Sequence, residues 1–441
     1  MRLTTKVAGA GVLWMVMTFV LTMTTAEAIQ AEAPRTGDKQ IHTQPLTSSL
    51  TLAEALSLTL QHNSDLAAFA EEIRARDAAA MQAGLLPNPV FAVDVENFAG
   101  EDDLQGFDGA ETTIALSQVI ELGGKRSKRR QVAILDKELA GWDYQSKKLD
   151  VLTAATKGFI LVLTTQEQVT QNEELAALAE QTLSAVKARV EAGKVPPLDE
   201  ARAQIELATT NSLAAKARRE LEAARRRLVA YWGADRADFG EVSGDLTALS
   251  PLPAEESIQH LLANNPEVAR WGMELEQREA SLALARVQAI PDVNFSFGVR
   301  NLRDSDSNAL VAGIELPLPL FDRNQGGAGE ARAKLERARR ERQAAETETR
   351  TRLVEAWQAL ASAHSEATTL KDEILPWAQS VFEAADFGYR QGKFDFLQMI
   401  DAQRTLFEVK GQYLLSLATY HQLRTELERL IGAPLHELPA I

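Results

Sequence analysis

Four stretches of this chain alternate between mainly apolar and mainly polar or small positions. In the first half Phe91, Val93 and Val95 alternate with Ala92, Asp94 and Glu96, and Ile114, Leu116 and Ile120 with Ala115, Ser117 and Val119. In the second half Val293, Phe295, Phe297 and Val299 alternate with Asn294, Ser296, Gly298 and Arg300, and Leu310, Ala312, Ile314 and Leu316 with Val311, Gly313 and Glu315. A period of two predicts strands with one apolar face. The polar connections Gly100 to Gly109 and Leu302 to Asn308 pair them into one β-hairpin per half, at about residues 88–121 and 290–320. Around the hairpins the apolar period becomes helical. Helices are predicted over about Leu52 to Gly84 and Glu255 to Ala289, stopped by Pro87 and Pro291. Long Ala-, Glu- and Arg-rich helices follow, about Lys125 to Ala192 and Ala328 to Gln391, each about 100 Å at the usual helical rise. Gly193 and Gly392 end them, and shorter helices return over about Pro197 to Tyr231 and Phe396 to Leu430. Pro376 predicts a kink in the second rod.

The two halves are copies of one pattern. Asn63-Ser64-Asp65-Leu66 aligns with Asn265-Pro266-Glu267-Val268, Pro89 with Pro291, Gly193 with Gly392, and Trp232-Gly233 with Ile431-Gly432. The spacing far exceeds that of solenoid repeats, so this is a duplication. The expected organisation is a first repeat at 51–232, a linker at 233–253 and a second repeat at 254–431. An N-terminal extension at 29–50 and a C-terminal tail at 432–441 flank them.

Residues 1–28 read as a secretory signal. Arg2 and Lys6 precede an apolar run from Val7 to Met23, and Ala26-Glu27-Ala28 forms a small-x-small cleavage site. An uncleaved anchor helix is the alternative. No later apolar run is long enough to span a bilayer as a helix, so none is expected after cleavage. The chain has 441 residues, 25% charged and 45% hydrophobic, which fits a folded, largely water-facing protein. Its net charge of -15 argues against a nucleic-acid partner and suits cationic cargo. Cysteine is absent, which excludes disulfides, thiolate metal sites and an anchor attached through cysteine.

Strands of about 9 to 11 residues with one apolar face match the length of a tilted membrane-spanning strand. Ordinary half-buried hairpins packed on helices are the alternative. The export signal, the long rods and the charges Asp94, Glu96, Arg300 and Glu315 on the polar faces weigh against it. Four strands cannot close a barrel in lipid, so several chains must share one. Two chains would fill the lumen with side chains, whereas three give twelve strands and a passage.

The chain resembles the outer-membrane efflux protein (TolC) family over nearly its whole mature length. The resemblance is strongest in Leu86-Pro87-Asn88-Pro89, in Gln118-Val119-Ile120-Glu121-Leu122-Gly123-Gly124-Lys125-Arg126 and in Leu316-Pro317-Leu318-Pro319-Leu320-Phe321-Asp322-Arg323-Asn324. Within the family these residues are most similar to outer-membrane components of cobalt-zinc-cadmium type resistance-nodulation-division (RND) systems. The resemblance implies a mainly α fold with a small β part. It also implies a homotrimer with a twelve-stranded outer-membrane barrel, a periplasmic α-helical barrel and an equatorial belt. The implied partners are a periplasmic adaptor (membrane fusion protein), an inner-membrane RND pump and outer-membrane lipid. The implied cargo is divalent heavy-metal cations; drug efflux and polypeptide secretion by the same fold remain alternatives, as does a periplasmic scaffold without a barrel. The family's periplasmic entrance corresponds to Gly193 to Leu198 and Gly392 to Leu397. Family members can carry two aspartates there. The second aligns with Asp401, but Gln398 stands at the first, and Tyr389 matches a family tyrosine near the gate. Asp94, Glu96, Asn294 and Glu315 are expected to face the barrel lumen.

No catalytic constellation is present and no cofactor is expected. Gly123-Gly124-Lys125-Arg126-Ser127 lacks the earlier glycine and the Ser or Thr directly after Lys of a phosphate loop. HExxH, GxSxG and CxxC motifs are missing. The histidines His42, His62, His260, His364, His421 and His436 never pair at helical spacing, so no tight metal site is expected. A duct binds its cargo weakly in any case, because tight binding slows release. Lys125, Arg126, Lys128, Arg129 and Arg130 read as a solvated helix start, with lipid-headgroup contact as the alternative. Arg225-Arg226-Arg227 reads as a solvated face. Glu101, Asp102, Asp103, Asp108 and Glu111 suggest an acidic external mouth or merely polar loop tips.

Overall fold

The computed structural model describes residues 49–102 and 105–435. The expected signal sequence, Asp103, His42, His436 and most of the N-terminal extension and C-terminal tail lie outside them. In chain order the elements are β1 (Leu50–Thr51), α1 (Leu52–His62), α2 (Ser64–Ala83), β2 (Val90–Glu96), β3 (Glu111–Ile120), α3 (Lys125–Glu191) and α4 (Pro197–Ala230). The second half has β4 (Val242–Ser243), α5 (Glu255–Gln259), a 3-10 turn, α6 (Pro266–Val287), β5 (Val293–Leu302), β6 (Ser307–Glu315), α7 (Gln325–Thr369), a π turn (Leu370–Ile374), α8 (Leu375–Arg390) and α9 (Phe396–Ile431). The fold is mainly helical, internally duplicated, with one small sheet of consequence.

Helix α3 is unbroken for 67 residues, about 100 Å. It ends at Gly193, whose φ of +68° is cheap only for glycine. Lys194 N donates to Arg189 O and Gly193 N to Val190 O, a Schellman closure. The second rod closes identically, with Lys393 N on Gly388 O, Gly392 N on Tyr389 O and Gly392 at φ +70°. Where a kink was expected near Pro376, the rod widens into the π turn Leu370–Ile374 just before it. Pro376 has no N–H for the carbonyl four residues back and its ring crowds that carbonyl; the wider turn relieves both.

The first helix of each half is not continuous as expected. Asn63 separates α1 from α2, and Asn265 separates the 3-10 turn from α6. Asn63 Oδ1 accepts from Leu66 N at 3.0 Å and its Nδ2 donates to Tyr231 O at 2.8 Å. Asn265 Oδ1 accepts from Glu267 N at 2.7 Å and its Nδ2 donates to Leu430 O at 2.8 Å. Each asparagine caps one helix and satisfies a carbonyl at the end of another. These helices also end before their prolines, at Ala83 and Val287.

The first part of α3 packs against α2 and α6, through Lys137 with Asp77 (2.5 Å) and Arg270 with Asp143 (2.6 Å). Its second part packs against α4 and α9, through Arg218 with Glu173 (2.6 Å) and Lys410 with Glu174 (3.9 Å). Helix α6 packs on α7, and α8 on α9. Where the rods pass mid-length, Phe159, Ile160, Val162 and Leu163 of α3 meet Leu228 and Trp232, Leu50 of β1, Phe239 and Val242 of the linker, and Leu417 of α9. The linker is therefore not a free tether. Its β4 pairs in parallel with β1, Gln166 bonds both Val242 N and Val242 O, and Trp357 Nε1 donates to Pro253 O at 3.0 Å.

Candidate functional site

The four long strands form one antiparallel sheet in the order β2-β3-β5-β6. Directly opposed residues share a face. One set of rows runs Asp94–Thr113–Arg300–Ala309, Ala92–Ala115–Gly298–Val311 and Val90–Ser117–Ser296–Gly313. Glu96–Glu111–Leu302–Ser307 and Val119–Asn294–Glu315 belong to the same face. The other face carries Phe91, Val93, Ile114, Leu116, Phe295, Phe297, Leu310 and Ile314, all exposed. Asp94, Glu96, Asn294 and Glu315 thus share the polar face, but Asp94 and Glu96 lie at its hairpin-loop end, in the rows of Arg300 and Leu302, whereas Asn294 and Glu315 pair with each other at the opposite end.

That polar face is the more covered of the two, as on the inside of a curved sheet. A Cβ on Gly298 would lie 2.4 Å from Ile114 O, and one on Gly313 would lie 2.6 Å from Ser296 Oγ. Glycine admits the close approach that curvature needs. Arg300 is the positive charge of the face. Its guanidinium reaches Glu111 at 2.9 Å, Glu96 at 3.5 Å and Thr113 Oγ1 at 3.0 Å. Glu111 is accordingly a strand residue paired across the sheet, not a free group at an external mouth. Strand β2 has 7 residues, shorter than expected, and β6 stops at Glu315 because Pro317 cannot supply a ladder N–H. The second connection is tighter than expected, since only residues 303–306 lie between β5 and β6.

At the end of β3 three of the five basic residues, Lys125, Arg126 and Arg129, are engaged by the chain, while Arg130 stays exposed. Arg129 clamps Glu121 through both Nη atoms (2.6 and 3.1 Å) and donates to Ala83 O and Leu85 O. Arg126 Nε donates to Gly84 O at 2.6 Å, and Lys125 Nζ to Asp292 Oδ1 at 2.8 Å. These cations cap the open carbonyls at the end of α2 and weld strand to rod. In the second half Asn324, at φ +52°, donates to Ala285 O of α6 in the same way. Arg225 is likewise engaged, with Glu222 and Gly240 O.

At the far end, the turns after α3 and α8 lie side by side. Tyr389 is buried with Val186, Ala203, Phe396, Met399 and Ile400. Its ring packs tilted against Phe396 at 5.9 Å, and the Arg189 guanidinium lies 4.6 Å above it. Arg189 Nη1 also donates to Tyr389 O at 3.1 Å, joining the two turns. Burial pushes the Tyr389 phenol above its ordinary value, against the pull of Arg189. The Phe394 ring lies over Gly388, where any Cβ would collide.

Gln398 is occupied differently from the expectation. It forms a capping box with Asp395, each side chain accepting from the other's backbone N–H at 2.8 and 3.1 Å. Asp401 is exposed and its carboxylate makes no hydrogen bond or ion pair among the described residues. One turn on, Arg404 pairs with the buried Glu206 of α4. Sequence reasoning missed Arg189, Arg404 and Glu206, since charges on an Arg- and Glu-rich helix carry no signal of their partner.

Among the described residues, no group of three or more His, Cys, Asp or Glu could hold a metal ion, and no helix is long and apolar enough to cross a membrane. The family model for the outer membrane efflux protein matches residues 55–234 and 257–433, one segment per structural repeat. The cobalt-zinc-cadmium resistance protein CzcC of Cupriavidus metallidurans is 35% identical over 383 residues, covering 87% of this chain and 90% of that protein. The nickel-cobalt-cadmium resistance protein NccC of Alcaligenes xylosoxydans xylosoxydans is 29% identical, over 64% of this chain and 65% of that one. A crystal structure of a membrane protein from Pseudomonas aeruginosa superposes with a TM-score of 0.75 at 18% identity, covering 86% of this chain and 92% of that one. A match in both repeats, over the elements that build the two-faced sheet and the rods, places the chain in the outer membrane efflux protein family.

Proposed function

We propose that the chain is the outer-membrane channel of a tripartite RND efflux system, and that it passes divalent heavy-metal cations of the cobalt, zinc and cadmium class to the exterior. The observation that carries the duct is the sheet, which segregates polar from apolar side chains and leaves β2 and β6 as open edges within the chain. Lipid does not tolerate open edges, so copies share one barrel, and three copies give twelve strands around a passage. The apolar face then meets outer-membrane lipid, and Asp94, Glu96, Asn294 and Glu315 line the lumen. Helices α3, α4, α8 and α9 extend the passage into the periplasm. Gly193, Tyr389, Gly392, Gln398 and Asp401 sit at its entrance, where a periplasmic adaptor and the inner-membrane pump engage.

Cation cargo is supported by two features. A relative 35% identical over most of both chains is named for cobalt-zinc-cadmium resistance. The polar face holds the carboxylates of Asp94, Glu96, Glu111 and Glu315 against the single guanidinium of Arg300, which lowers the barrier for cations. Chemical change of the cargo is not required. Deletion of the gene is expected to raise sensitivity to cobalt, zinc or cadmium salts; unchanged metal tolerance beside altered drug tolerance would sink the cargo assignment in favour of an organic-molecule duct. Purified protein that stays soluble and monomeric without detergent would sink the barrel in favour of a periplasmic scaffold. At the entrance, Asp401→Ala is expected to alter cation block in planar bilayers, and identical current traces would remove Asp401 from the gate.

A further inference from the structure

The start of a helix is its positive end and favours anions, yet α3 starts on five cations: Lys125, Arg126, Lys128, Arg129 and Arg130. Its first turn holds no acidic residue and no side chain caps it. Two carboxylates compensate part of this charge, Asp292 on Lys125 and Glu121 on Arg129. Among the described residues Arg126 bonds only the Gly84 carbonyl, through Nε, and the side chains of Lys128 and Arg130 make no hydrogen bond or ion pair.

The duplicated half shows that the fold does not require this charge. Gly124 and Asn324 are equivalent, each the left-handed residue directly before its rod. Counting on from them, Gln325, Gly326, Ala328, Gly329 and Glu330 stand where the first half has its five cations. There Asn324 caps an open carbonyl, Ala285 O, without any positive charge. The excess charge is thus an addition to one junction, and its repulsion is offset when an anion sits on it.

The geometry shows what kind of anion fits. Arg126 and Arg130 are exposed and lie one turn apart on the same side of α3, both against the end of α2. Arg126 Nε donates to Gly84 O at 2.6 Å, and a Cβ on Gly84 would lie 3.2 Å from Arg130 Cδ, so the arginine stem crosses a residue that has no side chain. The Nη groups of both arginines remain unused, and such planar forks match phosphate oxygens. Leu85 and Leu86 follow directly and are exposed, and Phe91 begins the apolar face of the sheet. Charge therefore lies where strand becomes rod, with apolar surface leading from it onto the strands.

We propose that Arg126 and Arg130, with the added charge of Lys128, bind the phosphodiester of an anionic phospholipid in the periplasmic leaflet of the outer membrane, one lipid per chain. Its acyl chains run past Leu85 and Leu86 along the apolar face. This rests on the barrel reading above, which sets the junction at the periplasmic surface of the membrane, and adds to it a headgroup site on the first half alone.

The test titrates phosphatidylglycerol or phosphatidylcholine into the full-length protein, delipidated in detergent, and reads bound lipid by native mass spectrometry. The trimer is expected to retain phosphatidylglycerol in preference to phosphatidylcholine. Arg130→Gln breaks no internal bond and is expected to weaken phosphatidylglycerol binding about tenfold, the loss of one charge-assisted contact. Equal binding by the variant, or equal binding of the two lipids by the unaltered protein, would overturn the proposal and leave the shared barrel standing. Release of the lipid by inorganic phosphate would assign the site to free phosphate and overturn it too. Loss of the trimer in Arg130→Gln would overturn it by assigning Arg130 to a contact between copies. An unaltered protein that is monomeric and soluble without detergent would overturn both the site and the barrel.

Discussion

Asn63 and Asn265 show how much one side chain decides at the residue scale. Each breaks a run that composition alone would keep helical, and each sews two distant helix ends together. Asn265 is 1% exposed, so Asn265→Ala leaves the Leu430 carbonyl buried without its donor, at a cost of about 2 to 3 kcal/mol. Asn63 is half-buried, and Asn63→Ala is expected to cost about 1 kcal/mol. Thermal melts of both variants check the order; a larger loss for Asn63 would contradict it. His421 offers a second handle. Its Nε2 donates to Leu246 O at 2.8 Å, and burial pulls its pKa below the ordinary value of 6.5 despite that carbonyl and the nearby Asp245 and Glu428. The unfolded chain therefore binds the proton more readily than the folded one. The stability this group contributes is full above about pH 6.5 and declines as pH falls below it. His421→Gln is expected to flatten the melting-temperature profile between pH 7 and 5, and an unchanged slope would assign the acid sensitivity elsewhere. The identity of these residues was legible in the sequence, but their partners were not, because Tyr231 and Leu430 lie 168 and 165 residues away.

Among the elements, the rods and their stops were the most legible, because they depend on local physics. Helix propensity and period set α3 and α7 to α8, and only glycine ends them cheaply at positive φ. Gly392→Ala keeps the Schellman hydrogen bonds only by placing an alanine at φ +70°, a strain of about 1 kcal/mol. Faster amide exchange confined to the last turns of α8 and the first of α9 is expected, and unchanged protection there would show that the turn is held by Arg189 and Tyr389 instead. The sheet's alternation was equally plain, down to which residues share a face. Less legible were the π turn, set by where Pro376 meets the packing of α8 on α9, and the basic cluster at Lys125 to Arg130. Arg126 and Arg129 looked solvated because nothing local announces the bare carbonyls of Ala83, Gly84 and Leu85 above them.

At the scale of the whole molecule, the proposed function turns on the sign of one face. In the proposed channel, Glu96→Gln combined with Glu315→Gln is expected to move the reversal potential in a salt gradient toward zero, since only Asp94 and Glu111 then remain against Arg300; an unchanged value would place the cation filter outside the sheet. The sequence by itself determined the duplication, the element types and the segregation of polar from apolar strand positions, because period, glycine and proline act within a few residues. Only the tertiary structure decided that β3 pairs with β5, leaving β2 and β6 as edges, that the linker packs on the rods at mid-length, and that Arg189 bridges the turns after α3 and α8. Those choices depend on surfaces brought together from opposite halves of the chain, and no local pattern encodes which surface a residue will meet.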